Sequence, residues 1–179
     1  MTTMQMGVGL DDGDMLLKEE VVLREDETGG SLFDRLAEVG GALCVKTIEG
    51  LAEGSITPIP QDEAQATHVG MIKKSMGNLD FSRSAVELER LVRGLNPWPS
   101  AYTHLGNKTL KVWKARVDTD TKTEAQPGEV VSSDASGIAV ATGEGLLVME
   151  EIQLEGKKRM CVADFLRGRE IPVGTMLCD

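Results

Sequence analysis

The chain has 179 residues, a formal net charge of −10, 41% apolar residues and 3% aromatics. That is enough chain to bury a core, but no apolar run approaches the roughly 20 residues a membrane-spanning helix needs. An acidic total excludes a general nucleic-acid coat and leaves room only for a local basic face. The charge is uneven. Residues 1–80 hold 6 Lys+Arg against 15 Asp+Glu, a net of −9, and residues 81–179 hold 13 against 14, a net of −1. The asymmetry predicts two parts with different jobs. Cys44, Cys161 and Cys178 are odd in number and far apart, with no C-x-x-C spacing, so neither a zinc ribbon nor a redox pair is indicated. Isolated thiols and the lack of a basic-then-apolar leader predict a cytoplasmic protein.

TTMQM (2–6) and MLLKEEVVL (15–23) read as strands around the loop GVGLDDGD. Thr28 or Ser31 can cap a helix in which Leu32, Leu36 and Val39 repeat at helical spacing. Gly40-Gly41 predicts a break or kink, since each Gly costs about 1 kcal/mol against Ala. Leu43, Ile48, Leu51 and Ala52 then form a second stripe, which Gly54 ends. Residues 55–80, with Pro58, Pro60, Gly70 and Gly77, read as a connector.

A helix follows in SRSAVELERLVRGL, capped by Ser82 or Ser84. It stops near Leu95, because Asn96 precedes Pro97 and is pushed out of helical geometry. Five short strands come next: AYTHL, KTLKVWKARV, GEVVSS, GIAVAT and GLLVMEEIQL. Their near-regular spacing predicts a small barrel. A short helix near VADFLRG and a last strand near VGTML complete the chain.

The motifs divide between structure and chemistry. LDDGD lacks the Gly and Glu positions of a calcium loop, so no metal is expected, and it reads by spacing as a solvated acidic turn. Gly7 and Gly9 open no helix and lack the third Gly of a dinucleotide fingerprint. Trp98, between Pro97 and Pro99, reads as a wedge between helix and barrel, the rigid frame favouring packing over the alternative of stacking on a base. GKKRM (156–160) and Lys73-Lys74 read either as solvated turns or as phosphate contacts. His68 and His104 have no carboxylate or Cys nearby in sequence and read as non-catalytic.

Six segments carry a resemblance. They are MTTMQMGVGLDDGDML, ETGGSLFDRLAEVGG, MIKKSMGNLDFS, LVRGLNPWPSAYT, KVWKARV and GKKRMCVADFLRG. In this order they resemble the C-terminal portion of methionyl-tRNA formyltransferases, almost end to end. The resemblance implies an α+β and α/β chain. Residues 1–54 would be a remnant of a Rossmann-like formyltransferase domain. Residues 55–80 would be a linker, and 81–179 an OB-like barrel that contacts tRNA.

It further implies formyl transfer from 10-formyltetrahydrofolate to the amino group of initiator Met-tRNA, with neither membrane nor DNA involved. The family's catalytic set is an Asn, a His and an Asp, and the Asp falls on Asp11. Asp12 stands where the family usually has Thr. No Asn-x-His occurs in this sequence, so Asp11 is expected to stand without its partners and this chain alone to be inactive. A front half on other chain is an expected partner. The tRNA contacts carry over to Lys73, Lys74, Lys157 and Lys158, with Arg159 adjacent, while a frequent basic linker position is Met71 here. A non-catalytic tRNA-binding module, and a piece of a sugar-amine formyltransferase, are the alternatives.

Overall fold

The computed structural model describes residues 1–177, so Cys178 lies outside the described residues. The chain divides into two compact units, Met1–Met71 and Ile72–Asp179.

In the first unit, β1 (Thr2–Met4) pairs antiparallel with β2 (Met15–Lys18), Thr3 opposite Leu17. Both are shorter than the sequence predicts; Glu19 and Glu20 follow β2 directly and lie outside it. The intervening loop folds back on itself through Gln5 N–H to the Asp14 carbonyl, 2.8 Å. Residues of the expected connector belong to this unit, for Ile59 bridges to Met15.

One long helix, α1 (Gly29–Glu53), follows, and a short 3-10 turn at Glu63–Gln65 comes later in the unit. Thr28 caps it: its Oγ1 accepts from Ser31 N–H, and Ser31 Oγ accepts from Thr28 N–H. Gly40-Gly41 neither breaks nor ends it. Glycine keeps its N–H, so unlike proline it removes no hydrogen bond from the ladder. A side chain at Gly40 would stand 3.2 Å from Met1 Cε, so the small residue also lets Met1 approach. The buried stripe is Leu43, Thr47 and Gly50, one face at helical spacing. Ile48 and Leu51, which the sequence pattern places on the packed stripe, are exposed. Thr47 Oγ1 lies 2.8 Å from Thr3 Oγ1 and ties the helix to β1.

The second unit opens on a short 3-10 turn, Lys74–Gly77, and α2 (Ala85–Gly94). Ser84 caps α2 in a reciprocal box with Glu87, and the helix ends at Leu95, where the Asn96-Pro97 pair predicts it. The sheet follows: β3 (Ala101–Leu105), β4 (Lys108–Asp118), β5 (Val130–Asp134), β6 (Gly137–Ala141) and β7 (Leu146–Leu154). Two-residue β8 (Met160–Cys161) leads into α3 (Val162–Gly168).

The six strands are antiparallel, in the order β3-β4-β7-β6-β5, with β8 on β7. All five strands expected between 101 and 154 are present, but the barrel is not closed: among the described residues β3 and β5 form no ladder. The C-terminal segment contacts both edges instead. Leu177 N–H donates to the Gly128 carbonyl at 2.8 Å, and the Leu177 carbonyl accepts from Thr103 Oγ1 at 3.2 Å. The expected last strand is therefore a single bridge, Glu129 to Met176. Leu88, Leu110, Ile138, Leu147 and Ile152 are fully buried in the core between sheet and α2.

Candidate nucleic-acid interface

The acidic loop of the first unit is fixed from two sides. Gln61 Nε2 donates to the carbonyls of Asp11 (2.8 Å) and Gly13 (2.7 Å). Asp12 Oδ2 accepts from Gly9 N–H at 2.9 Å. Gly13 is required here, since a Cβ would stand 1.6 Å from the Gln5 carbonyl oxygen. Asp11 sits at a left-handed φ of 55°, which an Asp tolerates better than most residues. It is exposed, and among the described residues its carboxylate makes no hydrogen bond or ion pair. A shallow depression of about 160 Å³ lies beside it. Among the described residues no group of three or more His, Cys, Asp or Glu side chains is placed to hold a metal ion.

The second unit carries a different surface. Strand alternation turns Ala101, Thr103 and Leu105 inward and leaves Tyr102 and His104 on the outer face. On β4, Leu110 and Val112 face the core, so Thr109 and Lys111 stand outside beside them. Lys111 is opposite Tyr102 on one side and Gln153 on the other. The register is irregular around Lys114, so that Trp113 and Lys114 both lie outside the core between Val112 and Ala115.

Trp113 is held tightly. Its Nε1 donates to Gln153 Oε1 at 3.2 Å, Lys111 Nζ stands 5.6 Å from the ring centroid, and the Arg159 guanidinium 4.8 Å from it. Arg159 also grips Glu151 with two bonds, 2.7 and 2.5 Å. That pairing holds the Glu151 carboxyl below its usual range and raises Arg159. Lys114 and Arg116 pair with Glu150, at 2.9 and 3.4 Å.

These pairings sort the cations. Arg159 is committed to Glu151 and Trp113. Lys74, Lys111, Lys157 and Lys158 form no ion pair among the described residues. Lys157 and Lys158 follow Gly156 on the turn after β7, which Lys157 N–H closes onto the Leu154 carbonyl. Lys74 starts the 3-10 turn beside β3, where Leu79 N–H donates to the Tyr102 carbonyl.

Two adjoining depressions run from Lys74 past Lys111 to Gly156, the residue before Lys157. One, about 630 Å³, lies between Lys74, Trp98, Tyr102, His104 and Lys111. The other, about 310 Å³, shares Thr109 and Lys111 with it and extends to Gln153, Glu155 and Gly156. Trp98 is not a wedge. It is 59% exposed, at the rim of the larger depression. Tyr102 and Thr109 do not stand out in the sequence, although the period-2 pattern of AYTHL and KTLKV places them on one face with His104 and Lys111.

The formyl transferase C-terminal domain matches residues 71–170, more than half of the chain. The chain belongs to this formyl transferase family. Among curated relatives, it is 53% identical over 180 residues to a methionyl-tRNA formyltransferase of Lachnospira eligens, covering 98% of this chain and 57% of that protein. To the methionyl-tRNA formyltransferase of Desulfotalea psychrophila it is 48% identical, with 98% and 54% coverage. The chain thus spans a little over half the length of these relatives. Among solved structures, HypX from Aquifex aeolicus in complex with tetrahydrofolic acid matches with a TM-score of 0.64, 17% identity, and 97% of this chain against 33% of that one. WlaRD, a sugar 3N-formyl transferase, matches at 0.62 and 13% identity, covering 88% and 55%. At these identities the structural matches speak to the fold alone.

Proposed function

We propose that this chain is the tRNA-holding part of a methionyl-tRNA formyltransferase together with the acidic corner of its catalytic site. The whole protein would move a formyl group from 10-formyltetrahydrofolate to the amino group of methionine on initiator tRNA. The observation that carries this reading is the 53% identity across 98% of the chain. The depression lined by Lys74 and Lys111 supports it, being a local basic surface on an acidic chain, and the turn that carries Lys157 and Lys158 begins at Gly156 of the adjoining depression.

Within this reading the residues present supply only part of the chemistry. Amine attack on a formyl carbon builds a tetrahedral oxyanion that needs hydrogen-bond donors where its charge develops. The Asp11 carboxylate cannot donate; it can take up the proton the amine loses. The depression beside it, about 160 Å³, falls below the roughly 300 Å³ at which small-molecule sites begin, so a folate does not fit there. Met6, Val8, Leu10 and Phe33 are exposed, the surface expected of a domain that continues on other chain.

A formylation assay with 10-formyltetrahydrofolate and charged initiator tRNA tests the incomplete-site argument. No product is expected from this chain alone, and steady turnover would overturn the argument. Binding of tRNA tests the basic face. Lys157→Glu with Lys158→Glu is expected to weaken it several-fold and to flatten its salt dependence, because each lost phosphate contact lowers the log–log slope by about 1. Unchanged affinity and slope would remove Lys157 and Lys158 from the interface.

A further inference from the structure

The larger depression on the second unit has a composition that the phosphate contacts do not account for. The chain has three Phe, two Trp and one Tyr. Phe81 and Phe165 are in the core, whereas both Trp and the Tyr lie on the outer face just described. Trp side chains are large and usually mostly buried, so a Trp left 59% exposed forgoes a large burial term.

Trp98 is also presented on a stiff frame. Pro97 and Pro99 flank it. Asn96 Nδ2 donates to the Trp113 carbonyl at 3.1 Å, and Ser100 N–H to the Leu95 carbonyl at 2.9 Å. Ser100 itself is buried, and its carbonyl oxygen would stand 2.2 Å from a Cβ at Gly77, so the loop is packed down onto the 3-10 turn. A ring held this way loses little freedom when something stacks on it.

The same depression also carries charge. Lys74 and Lys111 line it, and among the described residues neither is in an ion pair and no carboxylate lines it. Lys114, Arg116 and Arg159, by contrast, are ion-paired, the first two to Glu150 and the third to Glu151. Unmatched positive charge and a presented aromatic ring thus share one open space of about 630 Å³, within the range of small-ligand sites.

We propose that this depression is a stacking pocket for one unpaired nucleotide of the bound RNA, its base against the Trp98 indole and its phosphate against Lys74 and Lys111. The inference rests on the RNA-binding reading of this face. The nucleotide must be unpaired because a base within a duplex offers its edges and backbone, while its flat face is taken by its neighbours. Such stacking is tolerant of sequence, since every base has a π-face. The pocket would therefore sense that a nucleotide is single-stranded more than which one it is.

The test uses the full chain and two probes: a fluorescein-labelled single-stranded pentaadenylate, and a blunt G·C-rich RNA duplex long enough to stay fully paired. The single strand is expected to quench tryptophan emission and the duplex to leave it unchanged. Trp98→Ala is expected to weaken the single strand about tenfold by anisotropy. Trp98→Phe keeps a ring and should retain most of the affinity while losing the quench. Equal quenching by both probes, or full affinity in Trp98→Ala, overturns the pocket. Intact tRNA separates the two readings. If tRNA binds and Lys157→Glu with Lys158→Glu weakens it, yet the pentaadenylate does not quench, the RNA face stands and the pocket falls. If tRNA does not bind at all, the RNA face itself falls.

Discussion

The two units of this chain bury their apolar residues very differently. In the first, Leu16 and Leu43 are the buried apolar side chains, and 13 large apolar residues are exposed. Among the described residues of the second, 25 apolar side chains are buried and 6 large ones exposed. The first unit is held by specific polar ties: the Thr3–Thr47 hydroxyl pair, the Gln61 amide on the acidic loop, and Arg35 clasping Glu27 at 2.8 and 2.6 Å. Hydroxyl and amide bonds contribute about 1 kcal/mol each in net terms, which cannot replace a core. The lesson is that regular secondary structure and independent stability are separate properties: a 25-residue capped helix sits on the poorly buried side.

The sharpest way to break that comparison is to cut into each core. Leu147→Ala in the second unit should cost about 2–5 kcal/mol, read as a fall in the urea midpoint of the main transition. Leu43→Ala should leave that transition in place, because the first unit contributes little to it. A large shift from Leu43→Ala would show that the two units unfold as one.

A smaller effect is expected at Gly77. A methyl there meets the Ser100 carbonyl oxygen at 2.2 Å, a backbone atom with little room to yield. Gly77→Ala is expected to destabilise the second unit by about 1–3 kcal/mol, measured by the same urea titration. Because the same contact packs the Trp98 loop, the emission of Trp98 should shift too. A stable variant with unchanged emission would mean that Gly77 does not position that loop.

What the sequence reveals of this architecture follows from how local each cause is. The α2 boundaries are local: Ser84 and Glu87 reciprocate across one turn, and Pro97 forbids helix at Asn96. The strands between 101 and 154 are equally readable, from alternation and turn residues. The unbroken α1 is not readable, because glycine weakens a helix without forbidding it and the outcome depends on what packs against it. Barrel closure is not readable either, since it depends on contacts between Leu177 and residues 49 and 74 positions away, Gly128 and Thr103. In the candidate interface, Lys74, Lys157 and Lys158 stand out as charge clusters in the sequence. Tyr102 and Thr109 do not, because their role rests on facing one depression. The commitment of Arg159 to Glu151 arises only from the pairing of β8 with β7.

The smallest expected effect concerns acid, and it lies within the better-buried unit. Arg83 and Ser84 hold the Glu87 carboxyl down at about 2, against an ordinary value of 4.5. The folded state therefore keeps this carboxylate charged where the unfolded chain would protonate it. Its stabilising effect is fully present above pH 4.5 and is lost as pH falls from about 4.5 to about 2. Asp80, Asp118 and Asp134 are lowered in the same direction by Ser82, Thr121 and Ser136, so they add to the same acid slope. The Arg83–Glu87 pair is exposed on both sides, which keeps its share small. Glu87→Gln preserves an acceptor for the Ser84 cap and removes only the charge. Its urea midpoint should lie slightly below wild type at pH 7 and converge on it near pH 2. A difference that persists unchanged at pH 2 would show that Glu87 acts through packing or the cap, and not through its ionised carboxylate.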